Sequence, residues 1–141
     1  MLKTIVEASE NFCIHQIRQP HELNNKISNK RTLIAYIDID ASDGKKHRVY
    51  VASDSNFMQR VSKLFLEEDD SDEETLIDMA LETTNLIVGS AKVIAEEQDE
   101  NPYTINTPHF EKIDIFDFEY DQAKVIKVEN DELIVAIKEL N

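Results

Sequence analysis

The feature that most constrains the fold is a long proline-free segment, residues 72–97, whose only glycine is Gly89. Ser71-Asp72-Glu73-Glu74 at its head has the form of a capping box. In that motif the serine oxygen accepts the amide of the fourth residue, Glu74 reaches back, and carboxylates in the first turn favour the positive end of the helix dipole. Asn101-Pro102 marks the exit, because the residue before a proline is pushed out of the helical region. At about 100° per residue, Leu76, Met79, Thr83, Leu86, Ser90 and Val93 form one stripe. Ile77, Ala80, Thr84, Ile87, Ala91 and Ile94 form the adjacent one. The two together predict a core face that must be buried against a larger layer.

The flanking segments supply that layer. Residues 33–40 and 48–52 are β-rich runs around Asp43-Gly44, which predicts a hairpin. Residues 12–17 read as a further strand in a mixed, strand-like N-terminal region, and the polar residues 20–30 as a loop. Ser53-Asp54-Ser55 offers capping oxygens, and Phe57, Val61, Leu64 and Phe65 follow at helical spacing, predicting a helix that ends near Leu66. Residues 103–108, 112–118, 123–128 and 133–138 read as short strands, the last two around a turn at Asn130-Asp131. No internal repeat is present. The expected fold is α+β, a mainly antiparallel sheet with two helices packed on it, in a single domain over residues 1–141.

Charge and cysteine content narrow the function. Fifteen basic against 29 acidic residues give a net charge of −14, so nucleic acid and anionic membranes would repel the chain. No stretch approaches the roughly 20 apolar residues of a membrane span, and the N-terminus lacks a signal-peptide pattern, so the expected location is the cytoplasm. Cys13 is the only cysteine and reads as a buried apolar residue, not a nucleophile. His15, His21, His47 and His109 are scattered without metal-ligand spacing or a partnered nucleophile. The acidic run 67–74 lacks the glycine and alternating ligands of a calcium loop. Asp38 and Asp40 point to one side of a strand, where they could hold a metal or simply face solvent.

A second stripe of the long helix gathers Asp78, Glu82, Asn85, Gly89, Lys92 and Glu96, and is expected to face outward. A solvated face would explain it, except that asparagine is a poor helix former and a mid-helix glycine costs roughly 1 kcal/mol relative to alanine. Glu82 and Asn85 project side by side from one turn. A carboxamide can orient a water for in-line attack on phosphorus, and a carboxylate can dock on a lysine near a phosphoryl group.

Asp78-x3-Glu82-x2-Asn85, followed after 22 intervening residues by Pro108, resembles the signature of the CheC/CheX/FliY phosphatase family. The surrounding Glu82-Thr83-Thr84-Asn85-Leu86-Ile87-Val88-Gly89-Ser90-Ala91 is similar to that family's Glu-x-x-Asn-x-Ile-x-Gly-x-Ala helix. The single motif is closest to CheX. The resemblance implies a CheC-like fold and an aspartyl-phosphate phosphatase that acts on a phosphorylated CheY-like receiver domain. Glu82 would contact the receiver lysine and Asn85 would position the hydrolytic water. Asp78, Gly89 and Pro108 would be motif supports. It further implies no cofactor of the chain's own, Mg2+ held by the receiver, and a homodimer supplying two sites. The N-terminal region departs from the family in lacking a clear opening amphipathic helix. Two other classes stay open: a noncatalytic module that docks on a receiver or a flagellar switch protein, and an acidic structural domain in which the motif is coincidental.

Overall fold

The computed structural model describes residues 2–98 and 102–140. Among these, α1 (Leu2–Phe12) leads through a π-helical turn (Cys13–Ile17) to β1 (Glu22–Asn24), the hairpin β2 (Arg31–Ala41) and β3 (Lys46–Asp54), then α2 (Ser55–Leu66) and α3 (Glu73–Glu97). The strands β4 (Tyr103–Ile105), β5 (His109–Ile115), β6 (Gln122–Val128) and β7 (Asp131–Glu139) follow. All pairings are antiparallel, in the order β1-β6-β7-β3-β2, with β4 and β5 sharing the outer edge of β2.

The fold is thus α+β as expected, but the described residues form three helices, not two. Residues 12–17, expected as a strand, continue an N-terminal helix that buries Thr4, Ile5, Ala8, Ser9 and Phe12 on one side. The opening amphipathic helix expected to be lacking is therefore present, with Leu2, Ile5, Val6, Ala8 and Phe12 at helical spacing, although the β-branched run Thr4-Ile5-Val6 mimics a strand. The helix then widens by one residue into the π turn, which closes where Arg18 in the left-handed region (φ 61°) donates its N–H to the Cys13 carbonyl at 2.7 Å. That extra residue shifts the helical register and buries Cys13 and Ile17.

The β2–β3 hairpin forms as predicted, with Tyr36 opposite Tyr50 and Gly44 taking the positive φ (88°) its turn requires. The strand expected over residues 103–108 is shorter, since β4 ends at Ile105, and the one expected over 112–118 begins earlier, at His109. Together they are one edge strand broken at residues 106–108, where Asn106 donates its backbone N–H and its Nδ2 to the Asp38 carbonyl at 2.9 Å each. Phe116 and Phe118 lie beyond β5 and fold back across the sheet, their rings 5.4 and 5.0 Å from that of Tyr50.

The three helices cover one sheet face. There Ile5, Phe12, Phe57, Met58, Val61, Ala80, Ile87 and Ala91 pack against Leu33, Ile37, Ile39, Val49, Val51, Leu133 and Val135. A smaller cluster on the other face joins Ile34, Tyr50, Ala52, Val125 and Ile134 to Phe116. Asp54 ties the layers together. Its Oδ1 accepts the Phe57 N–H at 2.8 Å and caps α2, while its Oδ2 accepts the Glu132 N–H of β7 at 2.9 Å and faces Lys30 Nζ at 3.3 Å. Of the helical residues expected to face inward, Phe57 and Val61 are buried, whereas Leu64 is exposed.

Candidate functional site

The site rests on α3, and the helix begins one residue later than the sequence suggested. Asp72, not Ser71, is the N-cap, its carboxylate accepting the Thr75 N–H at 2.9 Å. That hydrogen bond holds the Asp72 carboxyl below its usual range. Ser71 is buried instead and cannot serve as the cap. It hydrogen-bonds Ser62 and Glu68, and Gln59 brackets its backbone N–H and carbonyl at 3.0 and 2.9 Å. These bonds fasten the acidic connection between α2 and α3 to α2. At the other end α3 runs to Glu97, as expected; of the anticipated Asn101-Pro102 exit, Asn101 lies outside the described residues.

Burial along α3 falls on Leu76, Ala80, Thr83, Thr84, Ile87, Val88, Ala91 and Ala95. This corrects the predicted core face: Leu86, Ser90 and Val93 are exposed, and Val88 and Ala95 take the inner places. Three of the buried residues are alanines, which let α1 and the sheet approach the helix closely. Contact therefore concentrates along the small residues and leaves the larger Leu86 and Val93 outside.

The predicted outward stripe does face outward. Asp78, Glu82, Asn85 and Glu96 are exposed, and Gly89 and Lys92 are half-buried. Between Glu82 and Asn85 the two threonines are completely buried. Thr84 donates its hydroxyl to the Ala80 carbonyl at 2.7 Å, and Thr83 directs its own toward Met58 Sδ of α2 at 4.0 Å. Tyr103 Oη donates to the Val88 carbonyl at 3.4 Å, pinning α3 to the edge strand. Glu82 and Asn85 are thus presented by a turn whose opposite side is fixed in the core.

Pro108 is half-buried at the break between β4 and β5, a place in the edge strand and not on the helix. Gly89 has ordinary helical backbone, and a Cβ built on it meets no atom within 4 Å. Neither crowding nor φ demands a glycine there, yet inside a helix it costs about 1 kcal/mol relative to alanine.

The other candidates resolve into structure. Arg48 grips Asp38 with two bonds, at 2.7 and 3.0 Å, and lies 4.1 Å from the Tyr36 ring centroid. The Asp38 carboxylate raises the Arg48 pKa further, holding the guanidinium charged. Asp40 accepts from Asn106 Nδ2 at 3.2 Å, so the aspartate pair is engaged by a cation and an amide. Among the described residues no three His, Cys, Asp or Glu side chains converge as metal ligands. His21 pairs with Glu10 at 2.9 Å, and His109 lies against Tyr36 with centroids 5.3 Å apart. Cys13 is fully buried, and desolvation together with Glu10 pushes its thiol up to about 12. No helix among the described residues is long and apolar enough to cross a membrane.

No family model and no curated protein matches the chain. Solved structures do match. A chemotaxis protein CheX from Desulfovibrio desulfuricans superposes with a TM-score of 0.76 at 20% identity, over 98% of this chain and 97% of that one. A putative chemotaxis protein from Desulfovibrio vulgaris Hildenborough gives 0.76 at 18% identity, over 99% and 96%. The CheX–CheY–BeF3–Mg2+ complex from Borrelia burgdorferi gives 0.67 at 15% identity, over 98% and 97%. The chain has the fold of CheX and CheC-like chemotaxis proteins.

Proposed function

We propose that the protein is an aspartyl-phosphate phosphatase that acts on a CheY-like response regulator, with Glu82 and Asn85 as its half of the active site. The observation that carries this reading is their arrangement. A carboxylate and a carboxamide are exposed side by side on one turn whose intervening Thr83 and Thr84 are fully buried. The fold shared with CheX proteins, one of them solved in complex with CheY, supports a receiver as the partner.

In this mechanism the aspartyl phosphate, the Mg2+ and a lysine belong to the receiver, and the Mg2+ there neutralises phosphoryl charge. Glu82 accepts an ion pair from the receiver lysine and fixes the register of α3 against the phosphorylation site. The Asn85 carboxamide holds a water in line with the bond to be broken. As its oxygen attacks phosphorus, the acyl-phosphate P–O bond breaks, the aspartate leaves as a carboxylate, and the water's protons end on or near inorganic phosphate. An amide is no base at neutral pH, so Asn85 acts by positioning alone. The exposure of Glu82 weighs against a domain in which the motif is coincidental and buried. Asp78, one turn before Glu82, and Pro108, in the edge strand, act as supports. One motif helix per chain makes a homodimer the two-site assembly.

The test is the lifetime of each of the cell's phosphorylated receivers with native protein and with Glu82→Ala/Asn85→Ala. The native protein shortens the lifetime of its cognate receiver, and the double variant restores it, with about 100-fold or greater loss of turnover. An equal lifetime with both proteins would refute the proposal. Binding without hydrolysis by the native protein would instead make the chain a docking module.

A further inference from the structure

The exposed face of α3 continues past Asn85 and changes character. Leu86 (38% exposed) and Val93 (51%) stand there with Gly89 between them. By helical periodicity Glu82, Leu86, Gly89 and Val93 fall within about 40° of one line along the helix, over roughly 16 Å, with Asn85 on one shoulder. A chain with 29 acidic residues does not lack polar side chains to cover this strip, yet it carries two large aliphatics and a residue with no side chain. Alongside it runs a groove of about 170 Å3 between α3 and the end of α1 with its π turn, lined by Asn11, Phe12, His15, Gln16, Leu86 and Ser90.

We propose that Leu86, Gly89 and Val93 form the docking strip that selects the receiver, with an apolar segment of the receiver crossing α3 in main-chain contact at Gly89. This rests on the reading of Glu82 and Asn85 as a receiver phosphatase site. Continuity identifies the occupant. Leu86 adjoins Asn85 in the chain and Gly89 follows one turn later, about 6 Å along the axis, so a domain whose phosphoryl group reaches Asn85 also covers them. Charge points the same way. A chain of net charge −14 gains little long-range attraction toward a phosphorylated acidic site, so apolar contact is the source of affinity that adds to the Glu82 ion pair. Gly89 is then explained from outside the chain. The space a Cβ would fill is open in the isolated protein and is taken by the partner's backbone.

The closing experiment measures binding of each of the cell's receivers, loaded with Mg2+ and beryllofluoride, by fluorescence anisotropy. It compares native protein, Leu86→Asp, Val93→Asp, Gly89→Ala and Glu82→Ala/Asn85→Ala, with melting temperature and sedimentation recorded for each. Both aspartate variants fold, because the sites are exposed, and each weakens binding about tenfold or more. Gly89→Ala weakens it comparably while raising the melting temperature by about 3 °C. Unchanged affinity in the three strip variants, with hydrolysis by the native protein intact, overturns the strip and leaves the phosphatase reading standing. Lost affinity in those variants, with no hydrolysis by the native protein, supports the strip and removes the phosphatase. If the native protein binds no receiver, both fall. A native dimer that dissociates in the strip variants assigns the face to a second copy and overturns the proposal, as does a Gly89→Ala variant that melts lower than native.

Discussion

Replacing Asp54 with alanine should destabilise the protein far more than an average substitution. Asp54 is 7% exposed, and its carboxylate engages α2, β7 and Lys30. Losing the cap bond to the Phe57 N–H at 2.8 Å costs about 1 kcal/mol. Losing the bond at 2.9 Å strands the Glu132 N–H, in a buried residue, and adds about 1–3 kcal/mol. The Lys30 ammonium lies 3.3 Å away with its side chain 41% exposed, so the ion pair is screened and adds about 0.5 kcal/mol at most. The sum is about 2–4 kcal/mol, which for a chain of this size corresponds to a fall in melting temperature of about 6–13 °C. Urea unfolding followed by circular dichroism measures it. Asp54→Asn keeps one acceptor oxygen and should recover about half of the loss. A loss below about 1 kcal/mol in the alanine variant, or an asparagine variant as unstable as alanine, would refute Asp54 as the joint between β3, α2 and β7.

Two further outcomes follow from α3. The Thr83 hydroxyl is fully buried, and its hydrogen-bond partner is the Met58 sulfur at 4.0 Å, a weak acceptor. Thr83→Val, which keeps the shape and removes the poorly satisfied hydroxyl, should therefore raise stability by about 0.5–1 kcal/mol in the same unfolding assay, and a loss of more than about 1 kcal/mol would contradict this. The Asp72 carboxyl is held below its usual range by the Thr75 N–H, so its contribution is present above the unfolded carboxylate value and is lost as pH falls through the lower folded value. Amide exchange at Thr75 should accelerate relative to mid-helix amides in that acid window, and Asp72→Asn should abolish the pH dependence; an unchanged profile in that variant would refute the assignment.

The long helix, the hairpin and the α2 cap were legible in the sequence because each is specified locally, by a run without breakers, an Asp-Gly turn and a capping aspartate. Glu82 and Asn85 were legible as an outward pair because helical period alone sets which way they point. Other features depended on distant parts of the chain. Ser71 and Asp72 both suit an N-cap, and what removes Ser71 is its burial against Ser62 and Gln59 of α2. Leu86 and Val93 look like core by hydrophobicity, but Ala80, Ala91 and Ala95 draw the neighbouring layers to a different meridian of the helix. That signal was available, since a line of small residues often marks the side of closest approach. The N-terminal helix was obscured by the β-branched run Thr4-Ile5-Val6, and its continuation over residues 13–17 by the π turn, whose extra residue shifts the period beyond Phe12.

Cys13 bears on how the molecule can be studied. A thiol that is fully buried, with its pKa pushed up to about 12, stays protonated at pH 8 and out of reach of reagents. Maleimides and spin-label reagents should pass it by in the native state. A single cysteine introduced at Ser90, exposed beside the helix face that carries Asn85, would then be the preferred reactive position in an otherwise wild-type chain. A probe placed there would report a macromolecule settling on that face directly, whether or not phosphate is released.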